Sequence, residues 1–460
     1  MMAHRRWQIV RHAVRAVVLL LFTLRVGHGD EPCNEPELLV GAAAINLKAD
    51  DSMVIGGSIL PRYARGQEGE LRAVAVVIER PGGGGTLAIV ACDVLFVTRD
   101  FVDPAVAEIA RRTGIPEHAV LVNATHTHHA PSTAVVHGYG REEAFVRQLQ
   151  RAIVEAVVEA HRRRAPACFY FHLGEERTVG GNSRRRLPDG MITWLGPRPD
   201  QGPPTGPFDP EMPVLAFKAP DGTYRAIIYN HSTHTIGTRR GNVRSPSFYG
   251  LAAQELEKEL GTTVCFLEGA SGSTHNITGV PVAEAVRRFK QAIRRSLQQL
   301  EHRSVHRLAA LKRPFVFTVR RFDEEQEDRK VVRYCRKYAG QRAEAFIRVF
   351  RDMRRVLAEQ QGQKRTTWLQ VMAIDDVAIA GVPAEYFTGL GIRIKKESPY
   401  RNTLVAELAN DWIGYLPDRE AHRLGGYQTW MGFHSYAEIG TGERVAETVT
   451  RMFRELRAQE

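Results

Sequence analysis

The sequence predicts one large α/β domain, a mixed β-sheet flanked by helices, because apolar strand-like runs alternate with amphipathic helical runs along the chain. Two strand-like runs, residues 71–80 and 87–98, are joined by the glycine-rich segment 81–85. This segment indicates a hairpin turn rather than a phosphate-binding loop, since no Gly-Lys-Ser/Thr follows it. Residues with helical periodicity predict five helices, at 103–113, 142–164, 248–260, 281–300 and 441–458.

The composition is that of a globular protein with a sizeable core. Hydrophobic residues make up 43% and charged residues 25% of the 460 residues. The formal net charge of +11 is compatible with a solvated basic surface or with peripheral association with an anionic membrane. Basic and aromatic residues are not interleaved as in nucleic-acid-binding modules, so no nucleic-acid partner is predicted.

The N-terminus predicts a cleaved signal peptide over residues 1–29, which leaves 30–460 as the mature chain. Arginines at positions 5, 6, 11 and 15 precede the apolar run 16–24, and small and polar residues follow it. That run is shorter than the roughly 20 residues that span a bilayer. We therefore expect a secreted or periplasmic protein, with the choice between Sec and twin-arginine export left open.

A charged segment, an irregular stretch and the cysteines each give a further expectation. The charged segment 322–361 predicts a solvent-facing helical insertion, and the irregular stretch 180–212 is long enough to predict a functional loop. The five cysteines form no CxxC pair, so no disulfide scaffold is predicted. Cys92 and Cys265 lie in apolar strand-like runs and are expected to be buried thiols.

Two histidine clusters indicate a metal centre. His126 and His128 follow an apolar run and share one face if the segment is extended. His231 and His234 follow the apolar run "AIIYN". Imidazoles at strand ends suit a transition metal such as zinc, although solvated loop histidines are the alternative. Glu385 in "IAGVPAEYF" adds a carboxylate that is either a ligand or a helix cap.

Five motifs in order carry a resemblance that covers the chain from about residue 38 to its end. They are "NATHTHHAP", "IIYNHSTH", "FLEGASGSTHN", "GVPAEYF" and "NDWIGYLPDREAHRLGGYQ". This series resembles the catalytic domain of the neutral/alkaline ceramidases. The resemblance implies that zinc is bound by His126, His231, Glu385 and Tyr415.

The resemblance also implies a reaction. In that family a zinc-activated water hydrolyses an amide bond of a lipid-like substrate. His128 matches an acid/base or oxyanion contact, and Tyr427 matches a second tyrosine that stabilises the oxyanion by donating a hydrogen bond. The alternatives are an esterase or other zinc hydrolase on the same site, or a non-catalytic binding protein that retains the fold.

The sequence departs from the family pattern at three places. His275 stands where the family has a catalytic serine, unless a one-residue slip puts Thr274 there, and Ser273 stands in the aspartate position. Arg184 is the candidate for the family arginine that contacts the reacting group, with a solvated loop arginine as the alternative. The chain ends after its terminal helix, so the resemblance implies the catalytic domain without the family's C-terminal β-sandwich domain.

Overall fold

The computed structural model describes residue 33 and residues 35–196, 198–276 and 279–459. The predicted signal peptide lies outside these residues. The strands, in chain order, are β1 (Leu38–Asn46), β2 (Arg72–Glu79), β3 (Thr86–Cys92), β4 (Val120–Ala124), β5 (Ala165–Glu175), β6 (Gly181–Asn182), β7 (Glu211–Lys218), β8 (Tyr224–His231), β9 (Thr263–Glu268), β10 (Thr274–His275), β11 (Glu301–Arg303), β12 (Leu308–Thr318), β13 (Lys364–Ile374), β14 (Val377–Gly381), β15 (Glu385–Tyr386), β16 (Asn402–Ala406) and β17 (Tyr415–Leu416).

The helices of the described residues include all five that the periodicity predicts, with ends that differ by up to four residues. They are α1 (Arg99–Thr113), α2 (Glu143–Arg162), α3 (Ser247–Leu260), α4 (Val282–Leu297), α5 (Glu324–Tyr338), α6 (Ala343–Ala358), α7 (Thr388–Glu397), α8 (Arg419–Leu424) and α9 (Thr441–Arg457). Among these residues no helix is long and apolar enough to cross a membrane.

Two sheets form the centre of the molecule. The larger has the order β4-β3-β2-β1-β5-β7-β8-β9 with β11 beside β5, and the smaller has the order β12-β13-β14-β16. Both are mixed: β2 and β3 form the predicted antiparallel hairpin, whereas β3/β4, β8/β9 and β14/β16 are parallel pairs. The predicted α/β fold with a mixed sheet flanked by helices is therefore confirmed.

The alternation of side chains along strands shows how the layers stack. In β8, Ile228 belongs to a core shared with residues of the smaller sheet, while Ile227 and Tyr229 point the other way and pack with α3 and α4. In β14, Ile379 belongs to the same shared core, and Ala380 belongs to the core that α9 covers. The two sheets thus face each other, with helices on the outer side of each.

The larger sheet curls until its two edge strands meet. Strands β4 and β9 lie at opposite ends of the hydrogen-bonded order, yet they are in contact. The Asn123 side-chain oxygen at the end of β4 accepts a hydrogen bond of 3.1 Å from the Glu268 amide at the end of β9. This closure brings together loops that follow strands far apart in the sequence.

The charged segment 322–361 is helical, as predicted, but it is not simply solvent-facing. It contains α5 and α6, which pack against each other. Val331, Tyr334, Phe346 and Phe350 are buried in the core beneath them. Most of the charged side chains lie on the outer faces, but Arg354 is fully buried and pairs with Glu324 and Asp328. The charge pattern thus predicted the exposed side and missed the apolar stripe.

The cysteines fall into two classes. Cys33 and Cys168 form a disulfide that fastens the segment before β1 to β5. Cys92 and Cys265 are buried free thiols, as the apolar strand-like runs predicted, and Cys335 is a third. Burial raises the pKa of the Cys265 thiol to about 12, which keeps it protonated and unreactive.

Candidate metal centre

Four predicted site residues, His126, His128, Glu385 and Tyr415, meet His234 at the carboxyl ends of three parallel strand pairs. His126 and His128 follow β4, His234 follows β8, and Glu385 and Tyr415 follow β14 and β16. Glu385 Oε2 lies 3.7 Å from His234 Nε2 and 4.0 Å from His126 Nε2. The Tyr415 hydroxyl lies 3.0 Å from His234 Nε2. Two imidazole nitrogens, a carboxylate oxygen and a phenol oxygen therefore converge on one place.

Backbone carbonyls fix the tautomer of both central histidines. His126 Nδ1 lies 3.1 Å from the Leu95 carbonyl, and His234 Nδ1 lies 2.9 Å from the Ser271 carbonyl. A carbonyl oxygen only accepts, so each Nδ1 carries the proton and each Nε2 has its lone pair free. This orientation of the second ring nitrogen is typical of metal-binding histidines.

The centre is buried and lacks a positive charge. Glu385 is 2% exposed, and burial raises the pKa of its carboxyl to about 8 although Tyr415 and Trp412 hydrogen-bond to it. Burial lowers the pKa of His234 to about 4, so its imidazole is neutral. The raised pKa means that the ionised carboxylate is costly at this buried place unless a cation compensates it. The donor set and this missing charge both fit zinc.

His128 stands at the cavity side of the centre. Its Nε2 lies 3.3 Å from His126 Nε2. Because the His126 nitrogen presents a lone pair, the proton between them belongs to His128 Nε2. Gly57 has a φ of +94°, and a Cβ there would lie 2.3 Å from His128 Nδ1, so glycine gives the ring its space.

The structure does not bring His231, a predicted ligand, to the centre. His231 shares a face of β8 with Tyr229 because side chains alternate along a strand, and that face packs on α3 and α4. Its Nδ1 lies 2.6 Å from the Tyr249 hydroxyl and its Nε2 lies 3.0 Å from the Glu176 carbonyl. Both ring nitrogens of His231 thus have hydrogen-bond partners away from Glu385. His234, which lies beyond the end of β8, is the histidine near Glu385 instead.

Arg184 is also placed differently from its prediction. Its side chain is 1% exposed. The guanidinium donates to the Gln428 side chain at 2.9 Å and to the carbonyls of Gly425 and Ala421 at 2.7 and 3.2 Å. These bonds tie the loop after β6 to α8 and to the segment that follows it. Arg184 is therefore a structural residue and does not reach the metal centre.

The segment in place of the family serine brings His275 to the centre. The His275 ring stacks on the His234 ring, with centroids 4.1 Å apart. The Thr274 hydroxyl donates to the Ser232 carbonyl at 2.7 Å, and the Ser273 hydroxyl donates to Thr388 at 3.1 Å. Both hydroxyls are buried and occupied, so Thr274 does not serve as a displaced nucleophile.

A cavity of about 440 Å³ opens onto the centre. Its wall comprises Gly57, Ser58, Ile59, His128, Ser183, Thr193, Trp194, Leu195, Gly196, Gln201, His234, Ile236, His275, Asn276, Arg342, Phe346, Tyr415, Tyr427 and Gln428. A larger depression, of about 1020 Å³, lies around Arg320 and Arg333 and includes none of the predicted site residues. The smaller cavity, whose wall includes His128, His275 and Tyr415, is therefore the candidate site.

Tyr427 lines this cavity, and its hydroxyl directs its proton toward His137. The hydroxyl lies 3.0 Å from His137 Nε2, while His137 Nδ1 lies 3.0 Å from the Ser58 carbonyl. The carbonyl only accepts, so Nδ1 carries the proton; burial also lowers the pKa of His137 to about 4. His137 Nε2 is consequently an acceptor, and Tyr427 donates to it. This direction differs from the oxyanion-donor role implied by the resemblance.

Three contributors to the site were not predicted. His137 orients Tyr427, and Trp194 stacks on the Tyr427 ring at 4.6 Å. The Glu407 carboxylate accepts from the Ser271 hydroxyl at 2.6 Å, and so holds the residue whose carbonyl orients His234. Glu407 follows the apolar run "NTLVA", which is a signal of the same kind as that of Glu385. Neither His137 nor Trp194 lies in a pattern that indicates its role.

Known proteins resemble this chain in structure. No protein-family model and no curated protein matches the sequence. The structure of neutral ceramidase from Pseudomonas aeruginosa superposes with a TM-score of 0.69 at 18% identity, over 93% of this chain and 75% of that one. This chain has the ceramidase fold. A structure of a ceramidase complexed with C2 superposes equally well, at 17% identity, over 92% of this chain and 76% of that one.

The shared ceramidase fold confirms the architecture that the five motifs implied. At this level of identity the likeness extends to the fold, and the chemistry rests on the side chains of this chain. Those side chains place the metal-type donors at one end of an open cavity, which is where an α/β protein carries its site.

Proposed function

We propose that this chain is a zinc-dependent hydrolase that cleaves the amide bond of an N-acylated, lipid-like substrate. The observation that carries the proposal is the convergence of His126, His234, Glu385 and Tyr415 at the end of an open cavity. These four residues would hold the metal. The ceramidase fold supports the choice of an amide over other bonds.

Each residue around the centre has a separate role in the proposed hydrolysis of an amide. Zinc at this site supplies Lewis-acid activation of water and of the carbonyl group. With the His126 lone pair taken up by a metal, His128 would be freed from donating to it. With its own proton on Nδ1, His128 Nε2 would take a proton from the attacking water and return it to the leaving nitrogen. The C–N bond breaks as the C–O bond forms, which gives a carboxylic acid and an amine. His275 lies beside His234 and orients the substrate carbonyl.

We also propose that the protein works outside the cytoplasm. The signal-like pattern of residues 1–29 supports export. The Cys33–Cys168 disulfide supports it independently, because such bonds persist in oxidising compartments. The extent of the catalytic domain, residues 30–460, stays a prediction.

Metal content and activity test the proposed function together. We expect about one zinc per chain and release of fatty acid from a fluorogenic N-acyl amide. His234→Ala and Glu385→Ala should each lose the zinc and the activity, because each removes a metal-type donor. His128→Ala should keep the zinc and lose roughly 10²–10⁴-fold in kcat, because it removes only the acid–base group.

Two histidine variants serve as controls. His118→Ala removes an exposed imidazole far from the cavity wall and should change neither quantity. His231→Gln should keep the zinc, since both of its ring nitrogens are engaged elsewhere. Absence of metal from the wild-type protein, or loss of metal in His231→Gln with retention in His234→Ala, would contradict the proposed site.

A further inference from the structure

The catalytic cavity contains one fixed charge. Among the described residues of its wall, Arg342 is the only arginine or lysine, and no aspartate or glutamate accompanies it. The remaining polar side chains of the wall are imidazoles, hydroxyls and amides. Arg342 is therefore the one group of the described wall that can pair with an anion through a full positive charge.

Arg342 is an exposed residue at the cavity wall, and its charge is not neutralised by a described carboxylate. It ends the short helix Gly340–Arg342 between α5 and α6, and its guanidinium lies 5.3 Å from the centre of the Phe346 ring. Within the described part of the chain, no carboxylate lies at ion-pair distance from it. Most arginines on the outer faces of the same helical pair do have such partners, for example Arg351 with Asp328 at 2.6 Å.

An aromatic wall connects the metal centre with Arg342. Tyr415 lies 5.9 Å from Tyr427, Tyr427 lies 4.6 Å from Trp194, and Trp194 lies 5.6 Å from Phe346, measured between ring centres. The Arg342 guanidinium follows Phe346. An extended amphiphile can thus place its amide at the histidines, its apolar part along the rings and a charged group at the arginine.

We propose that the preferred substrate is an N-acylated amphiphile with an anionic group outside the amide, and that Arg342 binds this group. The inference rests on the proposed hydrolase function and names its substrate class. A guanidinium forms paired hydrogen bonds with carboxylate and phosphate oxygens. With no carboxylate in the described cavity wall, nothing there repels such a group, and a neutral amide gains nothing from the arginine.

The test compares N-dodecanoylethanolamine with its O-phosphate, which differ only in the charged group. We measure kcat and KM for both amides, and their equilibrium binding through quenching of tryptophan fluorescence, since Trp194 lines the cavity. The wild type should prefer the phosphate, mainly through KM. In Arg342→Gln the ratio of the two affinities should fall about fivefold at low salt, as for one exposed ion pair.

Two further variants sharpen the test. Arg342→Glu should reverse the preference, because it puts a carboxylate at the same place. Arg348→Gln removes an exposed arginine on the same helical pair that is outside the cavity wall, and should leave the ratio unchanged. Added NaCl should reduce the wild-type preference and have no effect on the ratio in Arg342→Gln.

The outcomes separate the two proposals. Equal affinity of the wild type for the two amides, or the same ratio in the wild type and Arg342→Gln, would overturn the role of Arg342 and leave the hydrolase intact. Zinc-free protein without turnover that still binds the phosphate more tightly through Arg342 would overturn the hydrolase and support the anion contact. The binding measurement decides the role of Arg342 in either case when both proteins also carry His128→Ala, which slows turnover of the amides.

Discussion

The hydrogen bond between Tyr427 and His137 has a fixed direction, because the Ser58 carbonyl holds the His137 proton on Nδ1. The Tyr427 oxygen therefore keeps its lone pairs for a donor on the substrate. A role as oxyanion donor would require the hydroxyl to leave His137, which would cost about one hydrogen bond. The amide N–H of the substrate is the donor that this arrangement favours.

Two amides that differ only in the presence of an N–H group test the direction of the hydrogen bond between Tyr427 and the substrate. We expect Tyr427→Phe to reduce kcat/KM about fivefold more on a secondary amide than on its N-methyl analogue, because only the secondary amide has an N–H to donate. Equal losses on both amides would show that Tyr427 donates to the carbonyl instead. In His137→Leu the hydroxyl proton is released from its acceptor, so the difference between the two amides should shrink.

At the scale of the element, the end of β3 is fixed to the start of β2 by a buried carboxyl. Asp93 accepts a hydrogen bond from the Arg72 amide at 3.0 Å and one from the Thr125 hydroxyl at 3.2 Å. Burial raises the pKa of this carboxyl from 3.8 to about 7, because the Arg72 charge only partly compensates the lost water. Thr125 precedes His126, so this contact supports the strand end that carries the metal-type donors.

The raised pKa predicts a loss of stability on the alkaline side. Between pH 4 and 7 the folded chain holds a proton on Asp93 that the unfolded chain has released, so the free energy of unfolding falls as the pH rises. Each unit of pKa difference corresponds to about 1.4 kcal/mol. Asp93→Asn mimics the neutral acid, since its amide can donate to the Thr125 oxygen.

Denaturant unfolding at pH 5 and pH 8 checks this expectation. The wild type should lose more stability between the two pH values than Asp93→Asn, which makes the variant relatively more stable at pH 8. A parallel change in both proteins would show that other groups account for the pH dependence.

The helical pair α5 and α6 contributes both to the core and to the cavity wall. Its outer faces bear the alternating charges, and its inner face supplies Phe346 and Phe350 to the core. The turn between the two helices then places Arg342 at the cavity. A change in this turn should thus alter substrate preference without touching the metal centre.

At the scale of the whole molecule, one covalent link restrains the chain. The Cys33–Cys168 disulfide joins residues 135 positions apart and encloses β1 to β4 with α1 and α2. Cross-linking so long a segment lowers the entropy of the unfolded chain. Cys33→Ser/Cys168→Ser should therefore lose about 2–5 kcal/mol of stability.

Thermal unfolding with and without a reductant measures this contribution. The reductant should lower the Tm of the wild type and leave that of the double variant unchanged. A reductant effect that persisted in the double variant would assign it to the other thiols. These are buried, and we expect no such effect.

The curling of the larger sheet decides which loops meet. Strands β4 and β9 are far apart in the hydrogen-bonded order, and their contact brings the loop after β4 to the loops after β8 and β9. The smaller sheet adds the loops after β14 and β16 from the other side. The candidate metal centre is thus built from both sheets.

The sequence by itself determined the α/β class, the strand hairpin, five helices and the kinds of residue at the strand ends, because these depend on local periodicity. It also named His126, Glu385 and Tyr415, which the structure brings together, and their role as ligands stays a prediction. Tertiary structure decided between His231 and His234, since the choice depends on which face of β8 the helices cover. It also decided the burial of Arg184, the partner of Tyr427 and the pairing of Cys33 with Cys168, because these contacts join segments that no local pattern connects.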